Sequence, residues 1–398
     1  MQNGQEHLTY CTNVHKGETW EDVFNILQTD LLAVRQAVAP MESFGVGLRL
    51  SGQALASASE PPALDTMKQY LADNDLYVFT LNAFPYGPFH GTRVKQDVYL
   101  PDWRDEERLR YTNASADYLA NFLPENMKGS VSTAPGCFRT NVASEQTVAD
   151  MASRFVRSAA HLVDLHRTTG KRIALAIEPE PSCFLETTNE AIAFFKDFLF
   201  GSTAVAELSR LCGLPRGEAE TALRTHLGLC LDLCHAAVEY EEPAETYAAL
   251  RAAGISVTKM QVSAGLRLTE VSRETPSLLS PFDDGVYLHQ VIERRGKMIN
   301  RYPDLADAFA ALKNADDDSD REWRIHYHVP LFLADLEPFS STQDFVCEAL
   351  ALHRLQPISS HLEVETYTWG VLPPTFRTAG LVPSIAREIE WVRQQLQA

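Results

Sequence analysis

The sequence predicts an α/β protein built as a (β/α)8 TIM barrel, one domain over residues 1–398 enlarged by inserted loops and helices. Three observations carry this expectation. Short apolar, β-branched or aromatic runs alternate with longer segments of helical period, the pattern of repeated βα units and a parallel sheet. No break in composition separates the 398 residues into parts. No G-x-G-x-x-G follows any strand, so an open dinucleotide-binding sheet loses its main support. A barrel needs about 250 residues and tolerates insertions.

The elements follow in order. Run 8–12 is short, and the helix after it opens at Thr19, with Asp22 as capping partner and Trp20, Val23, Phe24, Leu27 and Leu31 at helical spacing. Runs 44–50 and 76–82 come next, then a stretch at 96–128 that reads as an insertion. Run 129–133 is Ser-rich. Segment 144–169 is an amphipathic helix stopped by Gly170. After run 172–178, Thr187-Thr-Asn-Glu190 opens a helix carrying Ile192, Phe194, Phe195 and Phe198. Runs 227–232 and 256–262 precede a second insertion at 264–322, in which Ala315-Asp-Asp-Asp-Ser-Asp320 reads as a solvated loop. Runs 323–329 and 361–367 and a helix at 383–397 close the chain. Nine strands compete for eight places, and 8–12 or 129–133 is expected to lie outside the barrel.

Composition bounds the function. With 45% hydrophobic and 22% charged residues the chain is an ordinary folded globular protein. Its 35 Lys+Arg against 53 Asp+Glu give a net charge of −18, which repels phosphate backbones and anionic membranes and argues against a nucleic-acid partner. No stretch approaches the roughly 20 apolar residues of a membrane span, and MQNGQEHLTY has no signal-peptide pattern. Membrane insertion is not expected. Cys11, Cys137, Cys183, Cys212, Cys230, Cys234 and Cys347 form no C-x-x-C pair and read as free thiols, which makes the cytoplasm the expected location.

In a barrel, side chains at the C-terminal strand ends converge on one site. Run 172–178 ends in Glu178-Pro-Glu-Pro181, and run 227–232 in Asp232-Leu-Cys-His235, a D-x-x-H that can reach one cation. Run 256–262 places Gln261 near its end, run 323–329 carries the H-x-H pair His326 and His328, and run 361–367 carries Glu363 and Glu365. Carboxylates and imidazoles in this order are the mixed ligand set of Zn²⁺, Mn²⁺ or a related divalent cation. Each has an ordinary reading too: Asp232 as a helix cap, Gln261 as a hydrogen-bonding group, Glu363 or Glu365 as a solvated carboxylate. Around the mouth, Arg49 at the end of run 44–50 would meet an anionic substrate group. His90 would overhang the site, and Tyr86 and Trp369 would add apolar walls for a small molecule.

The succession Glu, D-x-x-H, polar residue, pair two apart, Glu resembles the xylose isomerase-like TIM-barrel superfamily, which includes sugar isomerases and epimerases and the endonuclease IV group. The resemblance implies Glu178, Asp232, His235, His328 and Glu365 as ligands, joined by His326 and Gln261. Where those relatives carry His or Asp at the third strand end, this chain has Gln261. Tyr10-Cys-Thr-Asn-Val-His-Lys-Gly-Glu18, Phe44-Gly-Val-Gly-Leu-Arg-Leu-Ser51, residues 77–90, Tyr99-Leu-Pro-Asp-Trp103, His326-Tyr-His-Val-Pro-Leu-Phe332 and Glu363-Val-Glu-Thr-Tyr-Thr-Trp369 are more closely similar to the bacterial Ebo-operon EboE family. That implies metabolite traffic and a functional link to a membrane export partner. The expected function is a divalent-metal isomerase or epimerase of a small metabolite, with Glu178 and Glu365 as ligands and one or the other doubling as general base. The rivals are a metal-dependent hydrolase or lyase with an endonuclease IV-like site, and a non-catalytic metabolite carrier.

Overall fold

The computed structural model describes residues 2–3, 6–90, 94–314, 320–377 and 379–398. The acidic run at 315–319 lies outside the described residues. Eight parallel strands form the barrel: β1 (Glu6–Tyr10), β2 (Phe44–Arg49), β3 (Leu76–Asn82), β4 (Lys128–Thr133), β5 (Arg172–Ile177), β6 (Leu227–Asp232), β7 (Val257–Val262) and β8 (His361–Val364). Their order is β1-β8-β7-β6-β5-β4-β3-β2, with Gln2–Asn3 antiparallel on the edge of β1. A parallel bridge between Cys11 and Gly47 draws β1 onto β2 and nearly closes the circle.

Local sequence chemistry starts and stops the surrounding helices as expected. Thr19 and Asp22 form a reciprocal capping box, as do Thr187 and Glu190. Ser144 caps the 25-residue helix Glu145–Thr169, and Gly170 ends it at φ 74°, a conformation that costs glycine little. The last helix runs Leu381–Gln397. None of the described helices is long and apolar enough to cross a membrane. All seven cysteines are free.

Both runs that fitted least well, 8–12 and 129–133, are barrel strands, and the surplus run is 323–329. It belongs to Glu322–Val329, part of a separate six-stranded antiparallel sheet inserted between β7 and β8. That sheet has the order 298–302, 291–295, 322–329, 264–268, 339–341, 335–336, so the inserted material continues to residue 341. Within 96–128, the helix Glu106–Ala120 is the ordinary crossover between β3 and β4. Run 129–133 looks weak in sequence because the barrel interior is polar. Ser130 Oγ donates to Thr80 Oγ1 at 2.8 Å and contacts His361 Nδ1 at 2.8 Å, and Lys259 Nζ pairs with Glu363 Oε2 at 2.5 Å.

Closure requires glycine at position 47. A Cβ there would overlap Glu363 Oε1 and lie 2.5 Å from the Tyr10 carbonyl oxygen. Gly47→Ala is expected to cost about 3 kcal/mol, since backbone and a buried ion pair cannot both give way. A fall in the urea midpoint checks this, and an unchanged midpoint would contradict it.

His226 reports on acid stability. Its Nδ1–H donates to the Ile173 carbonyl at 2.7 Å, and burial pushes its pKa from 6.5 down to about 4. The unfolded chain takes up the proton near pH 6.5 while the folded chain refuses it until about 4. This histidine's contribution to stability is therefore complete above pH 6.5 and is lost progressively as pH falls to about 4, with an upper slope of about 1.4 kcal/mol per pH unit. An NMR titration should find its ring neutral at pH 5.5; an inflection near 6.5 would refute the shift.

Candidate metal centre

The C-terminal end of the barrel gathers three imidazoles. β6 ends at Asp232 and turns directly into the helix Leu233–Val238, which carries His235. His326 and His328 come from the inserted sheet, where an irregularity in register between Ile325 and His328 brings both rings inward, with centroids 5.3 Å apart. Each ring is tied through Nδ1 to an oxygen that can only accept. His235 donates to the Pro179 carbonyl at 2.8 Å, His326 to Gln290 Oε1 at 2.8 Å, and His328 to the Glu365 carbonyl at 2.6 Å. The Gln290 amide is oriented in turn by its Nε2, which donates to the Pro181 carbonyl at 3.1 Å.

These tautomers leave three Nε2 lone pairs turned toward one another, with Tyr367 OH 3.5 Å from that of His326. His235 Nε2 and His326 Nε2 are 3.1 Å apart, and one nitrogen from each of the three rings lies within 4.8 Å of the others. Burial and the other two rings hold His326 neutral well below the usual histidine range, and burial takes His328 down to about 4. A shared proton is thereby disfavoured. A cation accepted by the lone pairs fits the arrangement, and the outer hydrogen bonds are those that orient metal-binding histidines.

Carboxylates complete the donor set. Asp232 Oδ1 caps the helix by accepting from His235 N at 3.0 Å and from Ser263 Oγ at 2.7 Å, while Oδ2 is buried with no hydrogen-bond partner among the described residues and lies 3.9 Å from His235 Nε2. Glu178, just past β5, also has an unpartnered Oε2, and it lies within 4.8 Å of Asp232 and His235. Glu365 Oε1 accepts from Asn13 Nδ2 at 2.8 Å and Asn82 Nδ2 at 3.1 Å. Burial, then Glu365 and Asp232, push the Glu178 carboxyl well above its ordinary range. Burial, then Asp232 and Glu363, do the same to Glu365. So many buried acceptors without donors make sense around a cation.

Gln261 stands level with Asp232 and Glu363 in the sheet register, fully buried, with neither amide atom partnered. Glu363 points down into the barrel, to Lys259. The cavity above the centre measures about 60 Å³ and is walled by Phe84, Phe89, Tyr287 and Tyr367, with Glu178, Glu180, His235, His326 and Glu365 at its base.

Four residues expected at the mouth lie elsewhere. Arg49 gives Nη1 to Glu18 Oε2 at 2.9 Å and Nη2 to the Gly87 carbonyl at 2.7 Å, tying two loops together. His90 stands behind the wall, between the Asn13 carbonyl and Tyr287 OH. Tyr86 OH donates to Glu107 and Trp369 Nε1 to Glu388. Sequence reasoning missed Glu180, whose Oε1 accepts from Tyr99 OH at 2.7 Å, as well as Gln290 and the two asparagines. Asn82 ends β3, so extending the strand-end rule to amides would have found it.

No protein-family model matches the chain, and no curated protein matches it in sequence. Among solved structures, that of a xylose isomerase-like TIM barrel protein from Mycobacterium smegmatis in complex with magnesium aligns over 100% of this chain and 98% of its own, with a TM-score of 0.53 at 14% identity. The fold is that of the xylose isomerase-like TIM barrels. IOLI protein with a bound zinc atom aligns over 98% of this chain and 97% of its own (TM-score 0.49, 13% identity), and a xylose isomerase domain protein from Planctomyces limnophilus over 92% and 91% (TM-score 0.46, 12% identity). In this barrel the centre described above occupies the C-terminal ends of β5 to β8, and the inserted sheet supplies two of its three histidines.

Proposed function

We propose that the protein is a divalent-metal-dependent enzyme of sugar isomerase or epimerase type that acts on a small polyhydroxylated metabolite in the cytoplasm. The observation that carries this reading is the set of three imidazoles with Nδ1 committed to acceptors and Nε2 turned inward, beside carboxylate oxygens that have no hydrogen-bond partner among the described residues. His235, His326, His328, Asp232 and Glu178 would hold the cation, with Glu365 and Gln261 beside them. A bound Zn²⁺ or Mn²⁺ supplies Lewis-acid polarisation of substrate oxygens.

The chain's own groups do the rest. Glu178, whose Oε2 has no hydrogen-bond partner among the described residues, can take a proton from a substrate carbon and return it. Asn13 and Asn82 fix Glu365 against the opposite wall. The rings of Phe84, Phe89, Tyr287 and Tyr367 exclude water and offer faces to sugar carbons. A link to export of a small metabolite is part of this proposal through the resemblance of six sequence segments to the EboE family alone; no protein-family model carries it.

Metal analysis of the purified protein and of Glu178→Ala and His235→Ala is the test. Near-stoichiometric Zn²⁺ or Mn²⁺ is expected in the wild type, with depletion in both variants. No bound cation in any form would sink the proposal. Deuterium incorporation from D₂O into aldoses and ketoses then separates isomerase chemistry from hydrolysis or carriage, which would leave the substrate carbons unexchanged.

A further inference from the structure

The N-terminal end of the barrel, opposite the metal centre, has a cavity of its own. It measures about 800 Å³ and is lined by the first residues of β1, β4, β5, β7 and β8 and by the loops leading into them. That volume lies within the range of small-molecule sites. Lys128, Arg172, Arg224 and Arg251 line it, all exposed, and among the described residues the one carboxylate in its lining is Glu6, which is 3.2 Å from His353 Nε2. A chain with 35 Lys+Arg and 53 Asp+Glu should line an arbitrary hollow with more acids than bases. Here the ratio is four to one the other way.

Part of this charge has a local explanation. Arg224 and Arg251 lie in the last turns of the helices Arg216–His226 and Pro243–Ala253, where cations complement the helix dipole. Each also has a partner, Glu220 at 3.4 Å and the Gln356 carbonyl at 2.6 Å. Lys128 and Arg172 have neither. They are the first residues of β4 and β5, directly paired in register, and neither forms an ion pair with any described residue. Like charges opposed across neighbouring strands destabilise a sheet. An anion seated between them removes that cost, and the hydroxyls of Ser256, Thr258 and Ser360 offer neutral donors in the same lining.

We infer that the N-terminal mouth of the barrel is a second ligand site, which takes a small phosphate-bearing anion. A concave site of this size on a chain of net charge −18 suits a compact polyanion, since an extended polymer or a membrane surface would also meet the acidic surroundings. The site is independent of the metal centre and of the reaction proposed there.

Calorimetric titration of the full chain with inorganic pyrophosphate at low salt, with and without EDTA, tests it. Saturable binding is expected in both conditions. It should weaken at least tenfold in Arg172→Glu and in Lys128→Glu, and less in Arg172→Gln, while Lys313→Glu, an equal charge change at an exposed helical position, should alter it less than twofold. Both target side chains are exposed, and matching melting curves will show that the variants fold. Absence of saturable binding overturns the inference. So does binding that EDTA abolishes and Arg172→Glu leaves intact, because the anion would then sit at the metal.

Discussion

His235→Ala is expected to lower the affinity for Zn²⁺ by well over 100-fold, and Gln290→Leu, which touches no cation, by about 10- to 100-fold. The first substitution removes one of three converging nitrogens. The second acts through geometry. Gln290 Nε2 donates to the Pro181 carbonyl at 3.1 Å and to Tyr99 OH at 3.0 Å, so its Oε1 must face His326 Nδ1, at 2.8 Å. That contact obliges Nδ1 to carry the proton and leaves Nε2 as an acceptor. Leucine keeps the volume and abolishes the instruction, so His326 can rotate or take the other tautomer. Tyr99→Phe removes only one support of the same amide and should cost less. Competition with a chromophoric chelator measures the series, and wild-type melting should fall on chelation, because a ligand bound only to the folded state stabilises it. Equal affinities for wild type and Gln290→Leu would show that the tautomer argument is wrong.

The parts of this centre that the sequence made legible are those whose position follows from the strand in which they sit. Glu178 and the Asp232–His235 pair stand at the ends of β5 and β6, where a polar residue closing an apolar run points to the barrel mouth. His326 and His328 were readable as a pair for the same reason, yet their strand lies in the inserted sheet. Alternation reveals a buried strand and says nothing about which sheet receives it. Gln290 carries no local signal, because it meets the centre only once that sheet folds over the barrel; Glu180 stands in the strand-end run Glu178-Pro-Glu-Pro181, two residues past Glu178. Arg49 misled for a related reason: a strand-end arginine suggests an anionic ligand, but Glu18 is near enough to neutralise it at 2.9 Å. Run 129–133 was undervalued because hydrophobic periodicity assumes an apolar interior, whereas Ser130 and Ser132 face Thr80, His361 and Lys259.

That polar interior sets the largest expected effect on stability. Lys259 and Glu363 are both fully buried and 2.5 Å apart, with Ser132 Oγ 3.3 Å from the ammonium. Burial alone would drive the lysine toward neutrality; the Glu363 carboxylate outweighs it and raises the pKa above the ordinary lysine value. The neighbouring thiols of Cys11 and Cys230 are held neutral by burial, so they cannot replace the carboxylate. Lys259→Met therefore strands a negative charge in the barrel, and removal of one partner of a buried pair costs about 3–5 kcal/mol. Lys259→Met combined with Glu363→Leu removes both charges and should recover most of that loss, since apolar replacements of similar volume are often neutral. Urea unfolding of the two single variants and the double variant closes the cycle. A cost below about 1 kcal/mol for Lys259→Met would mean that the pair contributes little to stability and would overturn the argument. A double variant no more stable than either single one would mean that the barrel needs the pair for packing as well as for charge.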